Sequence, residues 1–347
     1  MHYPTQPATT AVLASPEDMR QTLRRISHLK GRQPQSDALE QVQACIGPGP
    51  YRRDWLIEYL HALNDRHGCL REGHLVALAK CMHLGMVEVY EVASFYHHFE
   101  VVADDASVPE VTVRVCESMS CDMGGARALL EKLPSLLGES VRVVPVPCVG
   151  RCEQAPVAVV HHNPIAHATP ERVAQAVAAK AYQAVLPAYV DYDAYRAQGG
   201  YQCVERVASG KLSAEAVLQT LEQSGLRGLG GAGFPAGRKW RIVRGMTAPR
   251  LMAINIDEGE PGTFKDRTYL ESDPHRFLEG MLVAAQVVGI DAIYIYLRDE
   301  YHDCRRLLQA ELQKLQANPP CPLPTIELRR GAGAYVCGEE SAMIESI

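Results

Sequence analysis

Apolar residues recur every three to four positions through roughly the first hundred residues, which predicts a series of amphipathic helices. Ser15 followed by Pro16 marks the expected start of the first, because serine caps helix N-termini and proline favours the first helical position. The residues before this cap are expected to form a disordered tail, 1–14. The segment 15–105 is predicted to be a helical bundle, with further helices at 36–46, 52–66, 73–84 and 87–99.

Short valine-rich runs then alternate with helical stretches, which predicts a small α/β domain over 106–185. The runs at 111–115, 141–147 and 155–162 have the length of strands. Helices are predicted at 124–133 and 170–182, and the order of elements is thioredoxin-like in outline. The following segment, 186–212, contains aromatic residues and a proline and is predicted to be an ordered but irregular connector.

A second α/β unit is predicted over 213–347, with the order β-α-β-α-β that favours parallel strands and right-handed crossovers. The last predicted helix has no cap, glycine or polar tail before Ile347. We therefore expect this domain to be incomplete. The fold class is α/β: a helical bundle and a thioredoxin-like domain, followed by the first part of a Rossmann-like domain. Its helices are predicted at 213–224, 274–288 and 300–316, and its strands at 250–256, 292–297 and 325–329.

The composition narrows the classes of protein to consider. A net charge of −6 gives no reason to expect binding to nucleic acid. The sequence has neither a secretory signal nor an apolar run long enough for membrane insertion, so a cytoplasmic protein is predicted. Eleven cysteines in such a protein are not expected to form disulfides. Seven of them are scattered and predicted to be buried small hydrophobes: Cys45, Cys69, Cys81, Cys203, Cys304, Cys321 and Cys337.

The remaining four cysteines form two close pairs, each just past a predicted strand. Cys116 and Cys121 have the spacing C-x4-C, and Cys148 and Cys152 the spacing C-x3-C. Loops at the ends of neighbouring strands can converge, and four convergent thiolates bind zinc or an iron–sulfur cluster. Zinc knuckles more often use C-x2-C, so the spacing favours a [2Fe–2S] cluster, although zinc remains an alternative.

Three loops of the second α/β unit carry candidate binding residues. GLRGLGGAGFPAGRKW is dense in glycine, so its backbone N–H groups can approach an anion or a flat polar ring. NIDEGEPGTFKDR places acids at the carboxyl end of a strand, where ligands of parallel sheets bind. GAGAYVCGEE follows a strand and opens a helix, which favours the same crevice. The candidates are Gly228, Gly230, Gly231, Gly233, Phe234, Lys239, Asn255, Asp257, Glu258, Glu260, Tyr335, Gly338, Glu339 and Glu340.

The motifs together resemble a known family. The segment with YEVASFYHHF, CESMSC and CVGRC resembles the 24-kDa flavoprotein subunit of respiratory complex I, and the three loops resemble its 51-kDa subunit. Both units in one chain resemble the beta (diaphorase) subunit of soluble NAD-dependent formate dehydrogenases. Leu229, where complex I relatives usually have arginine, favours formate dehydrogenase over complex I. The full set of four cysteines favours it over hydrogenase, and the connector YVDYDAYRAQGGY also resembles the formate dehydrogenase type.

The resemblance implies the cofactors [2Fe–2S], FMN and NAD(H), with a [4Fe–4S] cluster only in a C-terminal part that this chain lacks. It assigns the four paired cysteines to the [2Fe–2S] cluster and Phe234, Glu260 and Glu340 to NAD(H). The residues that it assigns to FMN are Gly228, Gly230, Lys239, Asn255, Asp257, Tyr335, Gly338 and Glu339.

The predicted function is therefore an NAD-dependent diaphorase that passes electrons between iron–sulfur clusters and NAD⁺ by hydride transfer through FMN. The expected partner is a molybdenum- or tungsten-dependent formate dehydrogenase alpha subunit. Two alternatives remain. The chain could serve a NAD-reducing hydrogenase or a complex I module, or be a non-catalytic [2Fe–2S] carrier in which only residues 36–183 function.

Overall fold

A computed structural model of the protein describes residues 31–229 and 232–347. The predicted tail and the predicted helix at Ser15 lie outside this range. From residue 31 onward, where the structure describes the chain, four α-helices form the bundle: α1 (Ser36–Ile46), α2 (Leu56–His67), α3 (Glu72–Met82) and α4 (Met86–Phe95). Their spacing of leucines places Leu60, Leu63, Leu75 and Leu78 fully inside the core. The helix predicted to reach residue 99 ends at Phe95, because Tyr96 adopts an extended conformation.

A short parallel pair, β1 (Leu70–Arg71) and β2 (Val101–Val102), closes the bundle beside a four-stranded sheet. The sheet contains β3 (Val111–Cys116), β4 (Val141–Val146), β5 (Ala158–Val160) and β6 (Asn163–Ile165), in the order β4-β3-β5-β6. Strands β3 and β4 are parallel, whereas β5 and β6 are antiparallel to their neighbours. The short strand β6 was not predicted. The helices of this domain are α5 (Met119–Met123), α6 (Ala126–Leu137) and α7 (Pro170–Ala178).

The connector is more regular than predicted, with two short helices, α8 (Tyr192–Ala197) and α9 (Gln202–Ala208). Tyr192 and Tyr201 are buried against the following domain. The Tyr201 hydroxyl is 2.7 Å from His275 Nδ1, and His275 Nε2 is 2.7 Å from the fully buried Glu311 carboxylate. Buried polar groups that satisfy one another therefore hold the connector on this domain.

The second α/β domain has a three-stranded parallel sheet in the order β7-β8-β9. The central strand, β8, is largely buried between its two neighbours. Because the three strands are parallel, their carboxyl ends lie at one edge of the sheet. The strands are β7 (Leu251–Ile256), β8 (Ala292–Leu297) and β9 (Thr325–Arg330). The helices are α10 (Ala214–Ser224), α11 (Ala236–Arg244), α12 (Lys265–Ser272), α13 (Pro274–Val288), α14 (His302–Ala317) and α15 (Glu340–Ser346).

This topology confirms the predicted α/β class. Helix α13 and strand β8 have the predicted bounds, whereas α11 and α12 were not predicted. The domain also packs on the bundle: the Ser346 hydroxyl lies 2.9 Å from the hydroxyls of both Tyr96 and Tyr296. Among the residues described, no helix combines the length and the apolar character needed to cross a bilayer.

The seven scattered cysteines follow their prediction in part. Cys69, Cys304, Cys321 and Cys337 are buried, and Cys45 and Cys81 are half-buried. Cys203 differs, because it lies on an exposed face of α9. No disulfide forms among the described cysteines, as expected.

Candidate functional site

The sheet brings the two cysteine pairs together. Strands β3 and β4 pair in parallel with Cys116 opposite Val146, so the loops that follow them leave the sheet side by side. Cys116 ends β3, Cys121 lies in α5, and Cys148 and Cys152 lie beyond the end of β4. Three of the cysteines are buried and Cys152 is half-buried. Four thiols from two separate segments of the chain thus lie together in a largely buried site.

The sulfur atoms of the four cysteines lie close to one another. Cys148 Sγ lies 3.5 Å from Cys152 Sγ, and the Cys116 thiol contacts both Cys121 and Cys148. A single zinc ion, with Zn–S distances of about 2.3 Å, would hold all four sulfurs about 3.8 Å apart. Within residues 31–229 and 232–347, three metal-binding side chains approach within 4.8 Å of one another only at His61, His98 and Asp299. No three of the four sulfurs, all within the described residues, lie within that distance of one another, so the site leaves room for a two-iron cluster.

The thiols perturb one another. The hydrogen bond between Cys116 and Cys121 raises the pKa of Cys116 and lowers that of Cys121, whereas burial raises the pKa of Cys152. Iron binding would overcome these shifts, because a coordinated thiol is deprotonated by the metal.

The loop of residues 148–152, here called the cluster loop, contacts the segment 257–267, here called the acidic loop. The Gly262 N–H donates to Cys152 Sγ at 3.1 Å. Gly150 has φ +67°, and the Tyr301 ring occupies the space in which a Cβ would lie. Only glycine fits at this position, because Tyr301 of the second α/β domain packs directly against the cluster loop.

Asn255 joins the acidic loop to the loop after β9. Its Nδ2 donates to the Gly338 carbonyl at 2.8 Å, and its Oδ1 accepts from the Asp257 N–H at 3.0 Å. A Cβ on Gly338 would lie 3.1 Å from the Asp257 carbonyl, so the two loops approach as closely as glycine allows. Two of the three predicted binding loops therefore meet at the carboxyl edge of the sheet.

Asp257 is the residue of this edge whose bonding is incomplete. Its Oδ2 is buried and has no hydrogen-bond partner. Burial raises its pKa to about 7. A buried carboxyl oxygen without a donor is costly unless a ligand supplies one. The hydroxyl groups and ring N–H of a flavin nucleotide are suitable donors, so the residues present fit FMN.

The open side of the crevice carries further predicted residues. Tyr335, Glu260 and Glu340 are exposed, and Tyr335 packs beside Gly259. Glu339 caps α15 by accepting from the N–H groups of Ser341 and Ala342. The hydrogen bond from the Ser341 hydroxyl, together with those from these two N–H groups, lowers the pKa of Glu339. A cavity of about 530 Å³, which is within the range of ligand pockets, also lies beside Asn255 along β7.

Glu258 differs from its prediction as a ligand-facing acid. It is buried, and its carboxylate accepts from the Asp266 N–H at 3.0 Å and from the Tyr301 hydroxyl at 2.8 Å. These contacts fix the start of α12. The carboxylate is thus committed to protein groups and positions the acidic loop.

The glycine-rich loop is the third predicted element, and Gly230 and Gly231 lie outside the described residues. The Gly228 N–H donates to the Phe234 carbonyl at 2.9 Å, and Gly233 has φ +59°. Phe234 and Lys239 are exposed. Where the structure describes this loop, no hydrogen bond joins it to the acidic loop or to residues 331–339, so the geometry unites two of the three loops.

Sequence reasoning missed the residues that hold the cluster loop in place. Arg298 donates to the Cys148 carbonyl at 2.5 Å, and Arg267 donates through Nε to the Gly150 carbonyl at 3.1 Å. Arg151 pairs with Glu271 and Asp303. One signal was available, since Arg298 directly follows β8 and must lie at the same sheet edge as Asp257.

Comparisons with known proteins agree with this geometry. The family model described as thioredoxin-like [2Fe-2S] ferredoxin matches residues 42–181, and the Nuo51 FMN-binding domain matches residues 221–347. The predicted cofactors [2Fe–2S], FMN and NAD(H) are thereby confirmed. The predicted [4Fe–4S] cluster is not tested by these matches and stays a prediction.

Relatives and solved structures match across both domains or across the second. The NAD-reducing hydrogenase HoxS subunit alpha of Cupriavidus necator is 31% identical over 346 residues, covering 85% of this chain and 56% of that protein. A subunit of the NADH-quinone oxidoreductase of Rhizobium meliloti is 40% identical over 162 residues, covering 44% of this chain and 38% of that protein.

A crystal structure of an NAD⁺-reducing [NiFe]-hydrogenase in the air-oxidized state superposes with a TM-score of 0.69 at 29% identity. The match covers 85% of this chain and 55% of that chain. This chain thus spans only about half, or less, of each of these three proteins. It joins a thioredoxin-like [2Fe-2S] ferredoxin domain to an Nuo51 FMN-binding domain.

Proposed function

We propose that the chain is the diaphorase part of a larger oxidoreductase of the NAD-reducing hydrogenase or complex I type. It would exchange electrons between NAD(H), FMN and a [2Fe–2S] cluster. The observation that carries the proposal is the contact between the Gly262 N–H and Cys152 Sγ, at 3.1 Å. Through this contact the loop that borders the flavin crevice also borders the cluster, so a two-electron site and a one-electron site adjoin.

FMN, when bound, supplies hydride exchange with nicotinamide and single-electron exchange with iron–sulfur clusters. The side chains of this chain then bind and orient. Asp257 offers a buried hydrogen-bond acceptor. Asn255 holds the loop after β9 beside Asp257 through its hydrogen bond to the Gly338 carbonyl. Tyr335 presents an exposed ring, and Glu260 and Glu340 place carboxylates where they could accept from nucleotide hydroxyls. No general acid or base is needed, so the chain's contribution is orientation.

The partner subunit is a separate question. The relatives are named as subunits of a hydrogenase and of NADH-quinone oxidoreductases, which favours those assemblies over the predicted formate dehydrogenase. Leu229, one of the residues on which the formate dehydrogenase prediction rests, is 89% exposed. The molybdenum- or tungsten-dependent alpha subunit therefore stays a prediction.

NADH-dependent ferricyanide reduction by the purified chain with added FMN tests the diaphorase proposal. We expect turnover with wild type and little with D257A, because that change removes the buried acceptor. D193A, which alters an exposed acid of the connector, is the control. Stoichiometric FMN binding without any NADH oxidation would refute the proposal for this chain. A [2Fe–2S] signal without FMN binding would favour the non-catalytic carrier.

The partner can be identified by its metal. Native complexes isolated through a tag on this chain and analysed by mass spectrometry should contain nickel if the partner is a [NiFe]-hydrogenase. Molybdenum or tungsten would instead support the formate dehydrogenase prediction. Quinone oxidoreductase subunits with none of these metals would indicate a complex I module.

A further inference from the structure

Arg298 connects the cluster loop to the acidic loop. One terminal nitrogen donates to the Cys148 carbonyl at 2.5 Å, and the other donates to the Glu258 carbonyl. The side chain is only 5% exposed. A single guanidinium thus binds the main chain of both loops, and the Glu258 contact lies within the second α/β domain while the Cys148 contact lies outside it.

The charge of Arg298 is balanced at the same place. Glu300 lies 3.1 Å from the guanidinium, and Arg298 Nε donates to the same carboxylate at 3.2 Å. Burying a cation is costly unless it is paired and hydrogen-bonded. Because the planar guanidinium can serve the carboxylate and two carbonyls at once, arginine suits this position and lysine does not.

The two loops joined by Arg298 also share the hydrogen bond from Gly262 to Cys152 Sγ. Hydrogen bonds to the ligating sulfurs help to set the potential of an iron–sulfur cluster. A donor stabilises the more negative, reduced cluster and so raises its potential. This donor belongs to the acidic loop, so the potential depends on how the second α/β domain is seated.

We propose that Arg298 is a positioning residue of the electron path, which holds the acidic loop against the cluster loop and thereby keeps the Gly262 N–H on the Cys152 sulfur. This inference rests on the proposed function. It extends that function, because the second α/β domain would help to set the reduction potential of a cluster whose predicted ligands all lie in the thioredoxin-like domain. Arg298 itself contacts no candidate cluster ligand atom, only the main chain beside one.

The variant R298K preserves the charge opposite Glu300 but cannot bridge both carbonyls. R329K is the matched control. Arg329 is also buried, with 2% of its side chain exposed, but it pairs with Asp54 and Glu58 of the bundle. Both variants replace a buried cross-domain arginine by lysine, and only R298K touches the cluster loop.

The test is a mediated redox titration of the [2Fe–2S] cluster followed by electron paramagnetic resonance. For R298K we expect an equilibrium constant for cluster reduction about tenfold lower than in wild type, which is about 59 mV for a one-electron couple. R329K should titrate like wild type. Electron–nuclear double resonance after transfer to D2O should show exchangeable protons near the cluster in wild type and R329K. R298K should lose one of them while retaining the Gly150 N–H, which donates to Cys148 Sγ.

An unchanged potential together with an unchanged set of exchangeable protons in R298K would overturn the proposal. If R298K does not fold, absence of an exchangeable proton beside the Cys152 sulfur of the wild-type cluster would overturn it equally. None of these measurements uses NADH. A wild-type chain with the expected proton and potential but no NADH oxidation would therefore refute the proposed function and leave the role of Arg298 standing.

Discussion

Cys116, Cys121 and Cys148 are buried, whereas Tyr335, Glu260 and Glu340 at the flavin crevice are exposed. The cluster loop is held by donors to the Cys148 and Gly150 carbonyls, so its shape is determined by the chain itself. At the crevice, Asp257 Oδ2 has no donor. The comparison indicates that the cluster site is preorganised and that the crevice depends on its ligand to satisfy buried groups.

The largest effect is expected from C148S, which removes a predicted cluster ligand. The [2Fe–2S] resonance signal should be lost, because the serine hydroxyl is a far weaker iron ligand than a thiolate. NADH-dependent ferricyanide reduction should be retained, since the crevice lies on separate loops. C203S, at an exposed cysteine of α9, should retain both. Loss of FMN binding in C148S would show that the two regions are not separable.

A pair of glycines tests how tightly the cluster loop is seated. Gly150 and Gly225 both have φ +67°, but of the two only Gly150 lacks room for a Cβ. We expect G225A to lower the free energy of unfolding by about 1 kcal/mol, the cost of the left-handed conformation. G150A adds overpacking against Tyr301, for a total of about 3–5 kcal/mol. Urea unfolding measures the free energy of unfolding of both variants. Equal losses of stability would contradict the close packing of Tyr301 on Gly150.

Asp257 should make the stability of the flavin-free protein depend on pH. Its folded pKa, about 7, lies above the unfolded value of 3.8. Between these values the unfolded chain releases its proton first, so this group destabilises the folded state as pH rises. D257N should therefore gain about 2–4 kcal/mol relative to wild type between pH 4 and pH 8. Urea unfolding without FMN, at both pH values, measures the gain, and parallel pH profiles would count against it.

The smallest effect is expected from E340Q at the exposed rim. A solvated carboxylate that accepts from a nucleotide hydroxyl contributes less than about 1 kcal/mol, so KM for NADH should rise less than about fivefold. E345Q, on the same helix α15, is the control and should leave KM unchanged. A rise of a hundredfold in E340Q would mean that the rim is desolvated on binding, and would weaken the contrast with the buried cluster site.

The sequence predicted those parts of the fold that depend on local signals. Asp273 and Pro274 define the start of α13, and an unbroken apolar run defines β8. Helix α12 was missed because its first turn is capped by Glu258, seven residues before it begins, through a contact that no local pattern encodes. The cysteine spacing predicted that the four thiols lie together, because they follow two adjacent parallel strands. Their assignment as cluster ligands stays a prediction.

The roles of Arg298 and Gly262 could not be predicted in the same way. They depend on how two domains meet, and the contacts join residues more than one hundred positions apart. Hydrophobic periodicity indicates which face of a helix or strand is buried. It does not indicate which carbonyl of another domain a side chain will bind. Asp257 was predicted from its position after β7, whereas its missing donor appears only once the crevice is assembled.

The second α/β domain recognises the cluster loop through the carbonyls of Cys148 and Gly150 and through the buried Arg151 side chain, which pairs with Glu271 and Asp303. The path of the loop and these few residues therefore matter more than the rest of its sequence. A chimera that exchanges the ferredoxin-like domain for one from a relative should then seat correctly if the donor loop has the same length, a glycine two residues after its third cysteine and an arginine directly after that glycine. Backbone recognition makes the two domains modular parts for redox engineering.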